Sequence, residues 1–172
     1  RGAMRAIVTR VRSASVEVEG KIVSSIGPGL LCLVGIKDSD RRKDAEYVCK
    51  KLLKTRIFAK EDQARASWDE DVVTRKGEIL CVSQFTLYGR LKKGTRPDFS
   101  KSMPPAQARE FYDSFVDMVR QEYEPERVHD GVFGAMMGVA SVNDGPVTFI
   151  IDSEADFSSN ASMSASMSEE GS

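Results

Sequence analysis

Residues 30–36 form an uninterrupted apolar run that follows the chain break Gly27-Pro28-Gly29. A run of this length, bounded by turn residues, is typical of a strand that is buried on both faces of a sheet. Its burial requires a hydrophobic core, and 41% hydrophobic residues in a chain of 172 are sufficient for one. The sequence therefore predicts a single folded domain with this strand in its interior.

Two further segments have the apolar spacing of helices. Ser39 or Asp40 is predicted to cap the first helix, which runs to about Arg56. Pro104-Pro105 opens the second helix. The two apolar stripes consist of Ala45, Val48, Cys49, Leu52 and Leu53, and of Ala108, Phe111, Tyr112, Phe115, Met118 and Val119.

The other elements are predicted to be strands. They are expected at residues 5–11, 78–87, 132–142 and 147–152, with a hairpin at residues 16–23 that turns at Glu19-Gly20. This order of elements predicts the α/β or α+β class, with α/β preferred, and a mixed sheet with two main helices on its outside.

The predicted domain spans residues 4–152. Arg1-Gly2-Ala3 resembles an expression-tag remnant before a native start at Met4. Residues 153–172 are rich in Ser, contain four acidic residues and no Lys or Arg, and are predicted to be a disordered tail. Neither a signal peptide nor an apolar run of the ~20 residues that span a membrane is present, so a soluble cytoplasmic protein is expected.

Polar groups stand at the ends of two predicted strands, where they cost free energy unless they are bonded or used. The chain has one His, and its three cysteines lie in apolar contexts typical of buried free thiols. This is a poor ligand set for a metal, and no Ser-His triad is expected. Chemistry is therefore expected from hydroxyls, amides and the backbone, without a metal or cofactor. The two groups are Ser83, Gln84, Phe85 and Thr86, and Asn143, Asp144, Gly145, Pro146 and Thr148.

The predicted loop at residues 90–101 concentrates positive charge in a chain whose net charge is −1. On charge alone a solvated surface loop is the plainer interpretation, although long charged loops are often functional. The functional interpretation is contact with nucleic-acid phosphates through Lys92, Lys93, Arg96 and Lys101.

Gly145-Pro146, between the last two predicted strands, also has two interpretations. It is either an ordinary turn or a cis Gly-Pro bond. In the second case both carbonyls would face one side, unobstructed by a side chain or an N–H, and would grip an ammonium group.

The chain resembles the D-aminoacyl-tRNA deacylase family over nearly the whole predicted domain. Two motifs are the most specific, SQFTL at residues 83–87 and NDGPVT at residues 143–148. The chain departs from the family at Thr9, where Gln is usual, and in its Ser-rich tail. The similar segments are residues 4–11, 13–16, 26–30, 83–87, 93–99, 133–137 and 143–148.

The resemblance implies a compact barrel-like fold and a homodimer whose active site lies at the subunit interface. The implied reaction is hydrolysis of the ester that joins a D-amino acid, or glycine mischarged on tRNA-Ala, to the 3′-terminal adenosine of tRNA. Gly145-Pro146 of one subunit would hold the substrate's amino group in the site of the other subunit. This rigid wall would leave no space for an L side chain.

The same resemblance implies a role for each candidate residue. Arg10 would brace the Gly145-Pro146 segment, and the neighbouring Asn143 and Thr148 are further substrate-binding candidates. Met137 and Phe85 would wall the adenosine. Main-chain N–H groups around Gln84 and Phe85 would be the oxyanion donors. The ester end would be lined by Ser83, Gln84, Phe85 and Thr86.

Two mechanisms stay open for Thr86. It is either the nucleophile, for which the sequence shows no base, or it only positions the substrate while the 2′-hydroxyl of the terminal ribose assists. The missing base favours the second mechanism.

Two other functions also stay open. One is that of a relative that removes L-alanine from tRNA(Thr), which would have a trans Gly-Pro bond. The other is a DNA-associated replication factor that acts through the acidic tail.

Overall fold

The computed structural model describes residues 3–60 and 67–154 and confirms the predicted mixed α/β class. The two helices are α1 (Arg42–Lys54) and α2 (Pro105–Glu122), and Phe85–Tyr88 and Pro125–Arg127 form 3₁₀ turns. The strands are β1 (Arg5–Val18), β2 (Lys21–Ile26), β3 (Gly29–Gly35), β4 (Glu78–Ser83), β5 (Arg90–Leu91), β6 (Pro97–Asp98), β7 (Val128–Asp130) and β8 (Gly138–Asp152).

The main sheet is mixed and nearly closes into a barrel. β1 pairs antiparallel with β2, β3 and β8, whereas β3 pairs parallel with β4, and β4 with β7. The sheet curls until β2 approaches β4 and β7. β8 pairs only with β1 among the described strands, so its outer edge is open.

β3 is buried on both faces, as its continuous apolar run predicts. Its alternate residues Leu30, Cys32 and Val34 belong to the core between the sheet and the helices. Leu31 points to the other face and packs with Leu80 and Val82 in a second core inside the barrel. Because side chains alternate along a strand, one strand contributes to two cores.

The two predicted helices form, and their packing follows the apolar stripes. All five stripe residues of α1 are buried. In α2, Ala108, Tyr112, Phe115 and Val119 are buried, while Phe111 and Met118 are only partly covered. None of the described helices is both long and apolar enough to cross a membrane.

The predicted cap of α1 at Ser39 or Asp40 is wrong. The N-cap is Arg41, whose main-chain N–H donates to the Asp44 carboxylate at 2.9 Å. The Asp40 carboxylate instead accepts the main-chain N–H groups of Lys37 at 2.7 Å and Ala3 at 2.6 Å. Asp40 is thus occupied by a segment distant in sequence, which local helix signals do not reveal.

Four predicted strand boundaries are also wrong. β2, the second strand of the predicted hairpin, continues past residue 23 to Ile26. β1 continues to Val18, because β2 replaces β3 as its partner in the second half while β8 pairs along both halves. β4 ends at Ser83, because the chain turns into a 3₁₀ turn. β8 begins at Gly138 and runs through the Gly-Pro bond. The predicted hairpin turn is confirmed, with positive φ at Glu19 and Gly20.

Buried structure reaches one residue beyond each predicted end of the domain. Ala3 and Ser153 are both buried, and the Ser153 hydroxyl donates to Asp44 Oδ1 at 2.8 Å. Arg1 and Gly2 of the predicted tag remnant, residues 155–172 of the predicted tail, and residues 61–66 lie outside the described residues.

Asp40 predicts a pH-dependent stability. Burial raises the pKa of its carboxyl from 3.8 to about 6, although the two main-chain N–H bonds oppose this. Because the native pKa is raised, the protonated carboxyl contributes to the stability of the folded state. This contribution is complete at pH values below the unfolded pKa, and it is lost as the pH rises through the native pKa. Asp40→Asn stays neutral, so wild type should lose about 1–3 kcal/mol more unfolding free energy than this variant between pH 4 and pH 7.

Denaturant unfolding of both proteins at several pH values measures this difference. Asp38→Asn, which removes a charge two residues away, is the matched control. Parallel stability curves for wild type and Asp40→Asn would contradict the prediction.

Candidate functional site

The SQFTL motif forms a tight turn at the end of β4. The Gln84 main-chain N–H donates to the Val34 carbonyl at 2.8 Å, which attaches the turn to β3. A Cβ on Gly35 would lie 2.9 Å from Leu87 Cβ, so only glycine lets the turn pack this closely. The turn is therefore held by the neighbouring strand.

A cavity of about 760 Å³ opens beside this turn. It brings together the predicted residues Ser83, Gln84, Phe85 and Met137 from two distant parts of the chain. Its size is that of a small-molecule site. The described residues that line it include no acidic or basic side chain, so it offers hydroxyl, amide and main-chain groups within apolar walls. The remaining lining comes from the ends of β3 and β4, Phe99, Ser102, Met103, the first turn of α2, residues 133–136 and Val139.

Phe85 stands at the cavity with 59% of its surface exposed. Its ring meets Phe99 edge-on with 5.1 Å between centroids. Ser102 donates its hydroxyl hydrogen to the Phe85 carbonyl at 2.9 Å. Ser102 was not predicted from the sequence, and nothing in the local pattern marks it, because the contact joins positions 17 residues apart.

One proposed oxyanion donor has to be corrected. The Gln84 main-chain N–H is already bonded to Val34, so it does not face a ligand. The first hydrogen bond of the 3₁₀ turn runs from Leu87 N–H to the Gln84 carbonyl at 3.2 Å. The N–H groups of Phe85 and Thr86 precede that bond and have no acceptor within the turn.

Thr86 is exposed and does not line the cavity. The Gln84 side-chain amide donates to Thr86 Oγ1. An amide donor of this kind orients the hydroxyl but does not remove its proton. The arrangement therefore does not supply a base for Thr86.

The second polar group forms a bulge in β8 opposite Arg10. Thr9 pairs with Thr148 and Val11 with Asn143, so Arg10 alone lies opposite residues 144–147. The Gly145-Pro146 bond is cis, the second of the two interpretations that the sequence left open, and both residues are exposed.

Arg10 is buried beneath this bulge. Its Nε lies 3.0 Å from Asp144 Oδ2, its Nη1 donates to the Ile57 carbonyl, and its Cζ is 5.9 Å from the Phe58 ring centroid. The hydroxyls of Thr9 and Thr148 are bonded at 3.0 Å beside it. The Arg10 side chain thus contacts the bulge from its buried side. This is the position of the brace that the family resemblance implied for the Gly-Pro segment.

The bulge and the cavity are separate within this chain. The described lining of the cavity contains neither Arg10 nor any residue from 143 to 148. The link between them is β8, since Val139 lines the cavity and the bulge follows a few residues later on the same strand. Val142, between them, is 53% exposed.

The basic loop contains one neutralised lysine. Lys92 Nζ lies 2.8 Å from Asp98 Oδ2, and hydrogen bonds from Lys92 and Ser100 lower the pKa of Asp98 to about 2. Lys93, Arg96 and Lys101 are exposed and make no ion pair with any residue in the described ranges.

The remaining nucleophilic and titratable candidates lie elsewhere. His129 Nε2 is 3.2 Å from Glu78 Oε1, and the pair is outside the cavity. The three cysteines are buried free thiols, and burial raises the pKa of Cys49 to about 12. Within residues 3–60 and 67–154, His, Cys, Asp and Glu form no cluster of three suited to a metal.

Fold and cavity together define a class: an α/β protein with a barrel-like mixed sheet that presents hydroxyl, amide and main-chain groups in an apolar cavity. The family model described as D-Tyr-tRNA(Tyr) deacylase matches residues 7–152. The chain belongs to this family, and with it to the carboxylic ester hydrolases.

Similar proteins come from distant organisms. The Drosophila melanogaster D-aminoacyl-tRNA deacylase is 49% identical over 150 residues, 87% of this chain and 92% of the relative. The Homo sapiens D-aminoacyl-tRNA deacylase 1 is 47% identical over 88% of this chain and 71% of its own. The solved structure of a protein named c-Myc DNA Unwinding Element Binding Protein has 45% identity and a TM-score of 0.80 over 86% of this chain and 97% of its own.

A further solved structure, of a probable eukaryotic D-amino acid tRNA deacylase, shares the fold. Its TM-score is 0.74 at 20% identity, and the match covers 87% of this chain and 99% of the other. The barrel-like fold predicted from the resemblance is thereby confirmed.

Gly145 predicts a sharp intolerance to any side chain. Its φ is +121°, and an added Cβ would lie 2.8 Å from Val147 Cγ2 and 3.4 Å from Arg10 Nη2. We expect Gly145→Ala to lower the unfolding free energy by about 1–3 kcal/mol, because an L side chain is strained at this φ.

Gly138→Ala, on the same strand, is the matched control. Its nearest contact would be an ordinary 3.7 Å to Glu17 Cβ, so it should change stability by less than about 1 kcal/mol. Equal denaturant midpoints for the two variants would argue against a specific role of Gly145.

Proposed function

We propose that the protein hydrolyses the ester between a D-amino acid and the 3′-terminal adenosine of tRNA, and also releases glycine mischarged on tRNA-Ala. The observation that carries this proposal is an apolar cavity, lined by the SQFTL turn and free of acidic and basic side chains in its described lining, in a chain of the D-Tyr-tRNA(Tyr) deacylase family. The reaction serves translation quality control in the cytoplasm.

The cavity suits an aminoacylated adenosine. Phe85 and Met137 offer apolar surface on which an adenine ring packs. The N–H groups of Phe85 and Thr86, at the start of the 3₁₀ turn, are the donors for the oxyanion that forms at the ester carbon. Ser102 holds the Phe85 carbonyl and so fixes the peptide plane that carries the Thr86 N–H.

A homodimer would complete the site. A two-fold axis that crosses β8 near Val142 would place Gly145 of the partner beside Val139, since each lies three residues, about 10 Å, from Val142. The open outer edge of β8 and the exposed Val142 and Ile150 support an interface here. The bulge would thereby enter the cavity that it does not reach within its own subunit.

The bulge would then select chirality. Its two carbonyls accept hydrogen bonds from the substrate's ammonium group, and Arg10 with Asp144 holds them in place from below. An L side chain would collide with this wall, whereas a D side chain would point outward. A rigid wall rejects one class of substrate without a tailored pocket for the other.

The 2′-hydroxyl of the terminal ribose is the proposed catalytic group. The described lining of the cavity has no titratable side chain, and Thr86 receives a hydrogen bond from an amide and not from a base. A hydroxyl next to the ester is positioned without loss of translational freedom, which favours its participation.

The tRNA backbone would contact the basic loop. Lys93, Arg96 and Lys101 are exposed cations without an ion-pair partner among the described residues, so they suit phosphates. Lys92 is the weakest of the four candidates, because Asp98 already neutralises it.

A DNA-associated role is the second candidate. It is favoured by the similarity to a solved structure whose protein is named c-Myc DNA Unwinding Element Binding Protein. Its proposed carrier, the acidic tail, lies beyond the described residues except for Ser153 and Glu154.

The first test compares D-Tyr-tRNA with L-Tyr-tRNA as substrates of the purified protein. We expect rapid hydrolysis of the D ester alone, because the partner's bulge excludes the L side chain. Pro146→Ala should abolish hydrolysis or reduce the preference for D. A folded, dimeric protein that is inert toward both esters would refute the proposal and favour the DNA-associated role.

The cross-subunit site predicts complementation. Pro146→Ala impairs the bulge and Gln84→Ala impairs the cavity, so each homodimer should lose most of its activity. After subunits exchange at equal amounts, half of the dimers are mixed and each holds one intact site, which restores about 25% of wild-type activity. A mixture no more active than its separate components would indicate that each site lies within one subunit.

The catalytic role of the ribose predicts two opposite outcomes. Thr86→Ala should retain activity within about tenfold, whereas D-aminoacyl-tRNA ending in 2′-deoxyadenosine should bind without being cleaved. Competition against the normal substrate checks that binding. A loss of more than about 10³-fold in kcat for Thr86→Ala would assign Thr86 as the nucleophile.

A further inference from the structure

Arg109 of α2 contacts the segment that forms one wall of the cavity. Its Nη2 donates to the Phe133 carbonyl at 3.2 Å, and its Cζ lies 5.1 Å from the centroid of the Phe133 ring. Tyr112 meets the same ring with 5.7 Å between centroids. Because Arg109 and Tyr112 are three residues apart, they lie on one face of α2, and both contact the Phe133 ring.

Besides Arg109, this segment is attached by a hydrogen bond from the Gly131 N–H to the Cys81 carbonyl at 3.0 Å and by packing of Phe133 and Met137 against the two cores. Residues 131–137 lie between β7 and β8 without strand pairing. Within this segment the Ala135 N–H donates to the Val132 carbonyl at 3.2 Å. The next residue after Phe133, Gly134, has φ +75°, and a Cβ there would lie 3.8 Å from Arg109 Nη2. The guanidinium therefore follows the backbone of the segment closely.

This segment determines the shape of the cavity. Residues 133–137 all line it, on the wall that includes Met137, whereas Arg109 does not line it. Arg109 is exposed and forms no ion pair with a residue of the described ranges, so no carboxylate draws its guanidinium away from the Phe133 ring. A cation on an aromatic ring contributes most when no anion competes for it.

We infer that Arg109 is a positioning residue that holds the 133–137 wall at the width the aminoacyl-adenosine requires. The inference rests on the proposed function. It assigns the residue no contact with the substrate, since Arg109 acts through Phe133 and Gly134. Its effect is therefore expected on substrate binding and not on the chemical step.

The test measures steady-state kinetics of Arg109→Ala on two substrates, D-Tyr-tRNA and a phosphate-free 3′-O-(D-tyrosyl)adenosine. We expect KM to rise about tenfold on both substrates with kcat within about twofold, from the loss of one hydrogen bond and one cation–π contact. Arg109→Lys, which keeps the charge, should recover part of the loss. Arg42→Ala, an exposed arginine on α1 and away from the cavity, is the matched control.

Two kinetic outcomes would overturn the inference. A rise in KM for the tRNA alone would make Arg109 a phosphate contact, and unchanged constants on both substrates would leave it without a role. Wild type inert toward both substrates would instead refute the proposed function.

Amide hydrogen exchange of the free protein tests the contact between Arg109 and this segment without any substrate. Residues 132–137 should exchange faster in Arg109→Ala than in wild type or Arg42→Ala. Unchanged exchange in that segment would overturn the inference whatever the kinetics show.

Discussion

The parallel pairing of β3 with β4 is the constraint on which the rest of this structure depends. Both strands are buried on two faces, so their register is fixed by two cores at once. Val34 pairs with Ser83 in that register. Because parallel strands end at the same edge of a sheet, the turn after β4 has to emerge beside the end of β3. The bond from the Gln84 N–H to Val34 and the close packing on Gly35 follow from this placement.

The sequence predicted the elements whose signals are local. The apolar run of β3, the stripes of α1 and α2 and the turn at Glu19-Gly20 each depend on residues near one another, and all are confirmed. The wrong boundaries depend on distant partners. β1 continues because β2 replaces β3 as its partner while β8 pairs along both halves, and Asp40 is occupied by the N–H of Ala3, 37 residues away. Periodicity carries no information about such partners.

The same distinction applies to the site. Ser83, Gln84, Phe85 and Met137 line one cavity, whereas Thr86, which the resemblance grouped with them, does not. The convergence follows because β4 and Met137 pack in the same second core. Ser102 and Arg109 were not predicted, since each acts through a carbonyl of another segment and neither belongs to a distinctive motif. The separation of the bulge from the cavity within this chain is likewise invisible in the sequence, and the proposed homodimer would bring the two together.

The buried Arg10 explains how an exposed bulge stays in place. A guanidinium beneath the surface is costly unless it is paired, and here the Asp144 carboxylate pairs with it while Nη1 donates to the Ile57 carbonyl. Asp144 belongs to the bulge and Ile57 to a different part of the chain, so the charge joins the two. If the bulge moved away, Arg10 would remain buried without its anion. The cost of that unpaired charge keeps residues 144–147 in position, so the proposed chiral selection would draw its rigidity from below the exposed surface of the bulge.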